Sequence, residues 1–105
     1  MTILKQSLKL LSKKDRKRVE LLKEVVVSYL AGKESLADLS FKIKALQQSI
    51  ETLDAETLQK IFDNWGEIEI IYAFLLAEGK QVLTTEEEQQ VIKYAKNVQH
   101  ITEEI

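Results

Sequence analysis

The chain has 105 residues, one domain's worth, which excludes two independently cored domains. Its 15 Lys and Arg oppose 17 Asp and Glu for a net charge of -2, and 45% of the residues are hydrophobic, a mix that excludes a disordered chain. Cysteine is absent, which excludes disulfide frameworks, thiolate nucleophiles and zinc ribbons, while the lack of proline and the presence of only three glycines point to a chain that is almost all helix.

Lys5 and Lys9 interrupt the apolar residues of the first eleven positions, so no secretory apolar run forms and no signal peptide is expected. Leu4, Leu8 and Leu11 share one helical face and predict a short helix over 2–11. Ser12 followed by Asp15 predicts a capping box that opens a second helix, running to about Ala31 and stopped by Gly32. One long kinked helix over both segments is the alternative.

Ser35 and Asp38 repeat this arrangement, and Leu36, Leu39, Ile43, Leu46, Ile50 and Leu53 follow at intervals of 3, 4, 3, 4 and 3. That alternation puts every large apolar side chain on one narrow seam and predicts a third helix over 36–53, packed nearly antiparallel to its neighbours. Asp54 is the next cap, for a long helix ending near Glu78 before Gly79. Its inward stripe is read as Leu58, Ile61, Phe62, Trp65, Ile68, Tyr72, Leu75 and Leu76. Gly66 lies inside it at a cost of roughly 1 kcal/mol relative to alanine, which a close helix crossing would explain. Ile68 to Ala77 is almost wholly apolar but far shorter than the ~20 residues of a membrane span, so it reads as a core helix. Thr84 and Thr85, each with glutamate three residues on, announce a last helix with Val91, Ala95, Val98 and Ile105 inward and Ile92 and Ile101 beside them.

Short connections favour antiparallel neighbours. The expected fold is all-α, an antiparallel four-helix bundle with a short additional N-terminal helix, forming one domain over 1–105. Within it, 1–18 is a basic segment and 19–105 an acidic helical bundle.

Residues that carry chemistry are scarce. His100 is the single histidine; with Glu103 it has a metal-ligand spacing, but at a helix end, and it reads as an exposed side chain. Di-metal bundles use Glu-x-x-His pairs on two helices, which this chain lacks, and no two glycines are close enough for a phosphate loop. No enzyme activity, cofactor or metal is expected. A helix-turn-helix over Ser35 to Leu58 lacks a mid-motif glycine, and Asp54, Glu56 and Asp63 would repel phosphate.

The distribution of charge says more than its sum. Residues 1–18 hold seven basic groups and one acid, +6, and residues 19–105 hold eight basic groups and sixteen acids, -8. Lys5, Lys9, Lys13, Lys14, Arg16, Lys17 and Arg18 are candidate anion-binding residues, for anionic lipid or nucleic acid. The plainer reading docks this arm on the acidic remainder. No aromatic residue lies in the arm to stack on bases.

On the long helix, Ile70 and Phe74 project opposite the inward stripe, bordered by Asp63, Glu67 and Glu78. An apolar patch ringed by one sign of charge suits an interface with a cationic partner. The alternative is that the first helix covers both residues and its lysines meet the acids. A homodimer burying Ile70 and Phe74 against their own copies is a third reading. Glu69 falls on the inward stripe, where a carboxylate needs a partner such as Tyr29, Tyr94 or a lysine, or else has a raised pKa in a cleft.

The segment Trp65-Gly-Glu-Ile-Glu-Ile-Ile-Tyr-Ala, followed by Gly79 and the Thr-Thr-Glu-Glu-Glu start of the last helix, resembles parts of small all-helical bacterial proteins, among them the colicin-type immunity proteins. The resemblance covers about the C-terminal half. It implies a stoichiometric inhibitor that needs no cofactor, its acidic surface covering the basic active face of a cationic nuclease toxin; a cytoplasmic location is the expectation that best fits the absence of cysteine. Asp63, Glu67, Ile70, Phe74 and Glu78 are the candidate partner-binding residues.

Overall fold

The structure is a computed structural model and describes residues 11–105. The described residues form four helices, α1 (Lys13–Leu30), α2 (Leu36–Ser49), α3 (Ala55–Ala77) and α4 (Thr85–Glu103), and contain no strand. Each helix packs against its neighbours in sequence and α1 also packs against α4, closing a square up-down bundle. The helix predicted over 2–11 lies outside the described residues except for Leu11, which is buried in the core before α1 begins.

Helix starts follow the polar caps. Ser12, Ser35 and Asp54 each accept the backbone N–H three residues on, at 3.1, 3.1 and 3.0 Å. Thr84 completes a reciprocal box with Glu87, the two hydrogen bonds measuring 3.1 and 2.9 Å. Thr84 is therefore the cap, and Thr85 is the first helical residue. Those bonds also hold the Glu87 carboxyl below its ordinary pKa. α1 and α3 end in Schellman turns on Gly32 and Gly79, whose φ of +77° and +67° is the left-handed region that favours glycine.

The core comprises Val19, Leu22 and Val26 of α1, Leu39 and Ile43 of α2, Ile61 and Ile68 of α3, and Val91, Ala95 and Val98 of α4. Burying each of the larger side chains contributes roughly 1.5–3 kcal/mol. Leu11, Ile50 and Leu53 close one end. Two members of the inward stripe read from the sequence, Phe62 and Leu76, are instead exposed. Phe62 sits about 100° round the helix from the fully buried Ile61. Leu76 overhangs: Ser40 is bonded to Glu69, so Leu36, one turn back on α2, stands level with about Tyr72, and α2 does not reach Leu76.

α2 stops at Ser49, short of the expected 53, although Ile50 and Leu53 stay buried. Asp15 is the cause. Its carboxylate, with a relative exposure of 1%, accepts the backbone N–H groups of Glu51 at 3.0 Å and Thr52 at 2.6 Å and the Thr52 hydroxyl, and it pairs with the Arg18 guanidinium at 3.1 Å. Arg18 donates in addition to the Ser49 carbonyl at 2.5 Å. The amides that would continue α2 are thereby taken by a side chain of α1. The Ser12–Asp15 capping box is consequently half made: Asp15 does not return to the Ser12 amide, which donates to the Thr52 hydroxyl at 3.1 Å.

Gly66 lies within α3, and a Cβ built there meets nothing within 4 Å, so the expected close crossing is absent from the monomer. Gly66→Ala is expected to raise stability by about 1 kcal/mol, read as an upward shift in a thermal melt. An unchanged or lowered melting temperature would contradict the open site.

Candidate protein-docking surface

α3 is oriented by polar contacts on its inner flanks. The Trp65 indole N–H donates to the Ser40 carbonyl at 2.9 Å, and the buried Ser40 hydroxyl donates to Glu69. Asn97 of α4 donates to Asn64 at 2.9 Å on the other flank. Glu69 thus has its partner on α2 and not among Tyr29, Tyr94 or a lysine, because it points to the α2 side of the helix. With both flanks tied, the outward direction of α3 is set.

That outward side carries the predicted residues. Asp63, Glu67, Ile70, Phe74 and Glu78 follow at intervals of 4, 3, 4 and 4, so they share one face. Ile70 is 52% exposed and Phe74 62% exposed. Phe62, Ala73 and Ala77 are exposed beside them, and Gly66 lies between Phe62 and Ile70. Asp63 accepts the Gln59 side-chain amide at 2.8 Å, and Glu78 pairs with Lys80 at 3.6 Å. Glu67 has no hydrogen bond or ion pair among the described residues. The face can exclude water at its centre and attract cations at its rim.

The basic residues divide. Lys5 and Lys9 lie outside the described residues. Lys13, Lys14, Arg16 and Lys17 are exposed at the start of α1. Arg18 turns inward to Asp15 and Ser49 and serves the fold.

A second apolar surface was not anticipated from the sequence. Leu21 and Val25 of α1 and Phe41, Lys42, Ala45 and Leu46 of α2 line an open groove of about 360 Å³. Phe41 is 71% exposed at its edge. The available signal was that Phe41 falls off the 3–4 seam of α2 two residues after Leu39. Lys42 at this groove pairs with Glu34 at 2.9 Å.

The neighbouring groove between α2 and α3 is lined by Gln47, Gln48, Ala55, Leu58, Gln59 and Phe62. Gln47 is only 7% exposed, and neither polar atom of its side-chain amide has a partner. An unmade buried hydrogen bond costs about 1–3 kcal/mol, so Gln47→Met, of similar shape, is expected to stabilise the fold by about 1–2 kcal/mol in urea denaturation. A destabilised variant would mean that the amide is satisfied.

His100 is exposed, its Nδ1 3.8 Å from Glu103, and no group of three or more metal-ligating side chains occurs among the described residues. No described helix is long and apolar enough to cross a membrane. No protein-family model, curated protein or solved structure matches the chain.

Proposed function

We propose that the protein is a non-enzymatic binding module whose docking surface is the outer face of α3, and that its partner is a cationic protein domain. Neutralisation of a bacterial nuclease toxin, in the manner of an immunity protein, is the specific form of this reading. The observation that carries it is the exposure of Ile70 and Phe74 on a helix whose other sides are anchored, beside the unpaired Glu67. An isolated exposed apolar residue is ordinary, but two large ones a turn apart within an acidic rim are a feature of interfaces. The acids would speed encounter and set orientation, and the apolar pair would supply the dehydrated centre.

The test is partner capture from the native host with the wild type and with an Ile70→Ser, Phe74→Ser variant, the gene neighbours supplying the first candidate toxin domains. A specific protein retained by the wild type and lost by the variant supports the reading. Equal retention by both refutes it.

A second reading, peripheral attachment to anionic lipid or nucleic acid, draws on the exposed Lys13, Lys14, Arg16 and Lys17 at the start of α1. It predicts sedimentation with phosphatidylserine vesicles or retardation of a nucleic acid, abolished by removing residues 1–18 but untouched by the α3 variant. Because Asp15, Arg18 and Leu11 lie in that stretch, Lys13→Glu with Lys17→Glu is the cleaner variant.

A further inference from the structure

We propose that the α3 face of one molecule seats in the α1–α2 groove of a second copy, so that the chain self-associates head to tail. This rests on the outer face of α3 being a docking surface and names one occupant for it.

The two surfaces are complementary in shape and in charge. One offers protruding Ile70 and Phe74 with acids at its rim; the other is a groove walled by Leu21, Val25, Ala45 and Leu46. Laying the apolar face of a helix into an apolar groove is a recurrent mode of recognition. Lys14 and Lys17 precede Leu21 by seven and four residues on α1, and Asp63 and Glu67 precede Ile70 by seven and three on α3. When α3 lies parallel to α1 with Ile70 beside Leu21, Phe74 falls beside Val25, Asp63 beside Lys14 and Glu67 beside Lys17. The opposite direction pairs only Glu78 with Lys13 and brings Glu67 towards Glu24, so charge favours the parallel arrangement. A symmetric α3-to-α3 dimer centred on Ile70 is disfavoured on the same ground, since it places Asp63 of one copy near Glu78 of the other.

Because the two surfaces differ, each union leaves one of each kind free, and the assembly grows as an open chain unless its rotation closes a ring. The α3 face from Phe62 to Ala77 is about 22 Å long. A single helix face of that length falls short of the roughly 800 Å² per partner of a standard interface. The association is therefore weak and concentration dependent, and it yields to a tighter partner for α3.

Sedimentation velocity tests this with two variants built on exposed residues, Lys17→Glu with Phe41→Ser to disable the groove, and Glu67→Lys with Phe74→Ser to disable the α3 face. The wild type should rise in mean mass beyond a dimer with concentration and fall back with added salt. Each variant alone should remain a monomer, and their equimolar mixture should form a 1:1 dimer and nothing larger, because only one working surface of each kind is present. A wild type whose mass is independent of concentration, or a mixture that stays monomeric, overturns the proposal. If the groove variant associates like the wild type while the α3 variant does not, the α3 face stands as a docking surface and the groove falls as its occupant. If the α3 variant associates unchanged, self-association through α3 falls, and partner capture with the Ile70→Ser, Phe74→Ser variant separately decides the binding function.

Discussion

Replacing Asp15 by alanine is expected to cost about 2–4 kcal/mol of folding stability, because the buried carboxylate satisfies two backbone amides at once while its partner Arg18 keeps 31% of its side chain exposed. The substitution leaves the amides of Glu51 and Thr52 without their acceptor, and it frees Arg18 from the carboxylate it pairs with. It also removes the tie between the start of α1 and the α2–α3 connection. Asp15→Asn separates charge from shape: one oxygen can still accept, but the new NH2 group faces donors, so most of the loss should remain. Ser12→Ala, which removes only the helix cap, should cost about 1 kcal/mol. The same carboxyl makes stability depend on pH. Its pKa is lowered from the ordinary 3.8 to about 2, chiefly by the Thr52 hydroxyl and then, against the opposing effect of burial, by the backbone amides and Arg18. A depressed acid stabilises the fold above its unfolded pKa and ceases to do so as pH falls through the folded one. About 2 kcal/mol should therefore be present at neutral pH and disappear between about pH 4 and pH 2. Urea denaturation across that window should show the loss in the wild type and a flatter profile in Asp15→Asn. An Asp15→Asn protein as stable as the wild type, with the same acid profile, would remove Asp15 from this role.

The Ile70→Ser, Phe74→Ser variant should lose at least about 30-fold in affinity for the partner, since a buried apolar anchor at an interface centre contributes 2 kcal/mol or more. Its folding stability should stay within about 0.5 kcal/mol of the wild type, because both side chains are more than half exposed in the monomer. Glu67→Gln should act differently, slowing association and weakening its salt dependence while leaving dissociation nearly unchanged. Kinetic binding measurements with the captured partner at several salt concentrations, which resolve association from dissociation, beside urea denaturation of the free variants, distinguish these outcomes. A double variant that binds normally would place the interface elsewhere. Gly66→Ala offers an internal comparison on the same face: a methyl group there faces open space in the monomer, so any loss of affinity reports a partner backbone crossing at that point.

Much of this was legible in the chain itself. Ser12, Ser35, Asp54 and Thr84 mark helix starts because their side chains satisfy amides within three residues, and Gly32 and Gly79 mark ends because the left-handed turn is a local requirement. The position of Ile70 and Phe74 opposite the core followed from helical angle alone. The α1–α2 groove did not, since a groove needs the spacing of two helices, and Phe41 by itself is one exposed aromatic among others.

Local periodicity and capping chemistry by themselves determined four helices, their order and the inward faces that close one core, because each depends on residues within a turn of one another. Only the tertiary structure decided where α2 ends, since Asp15 reaches Glu51 and Thr52 from 36 and 37 positions away. It likewise decided that Glu69 is held by Ser40, and that Leu76 is left uncovered where α2 begins too low to shield it. The end of α2 and the Glu69 contact share one physical reason, that buried polar groups must find partners wherever packing brings them, and Leu76 is exposed because the reach of a neighbouring helix is not written in a 3–4 spacing.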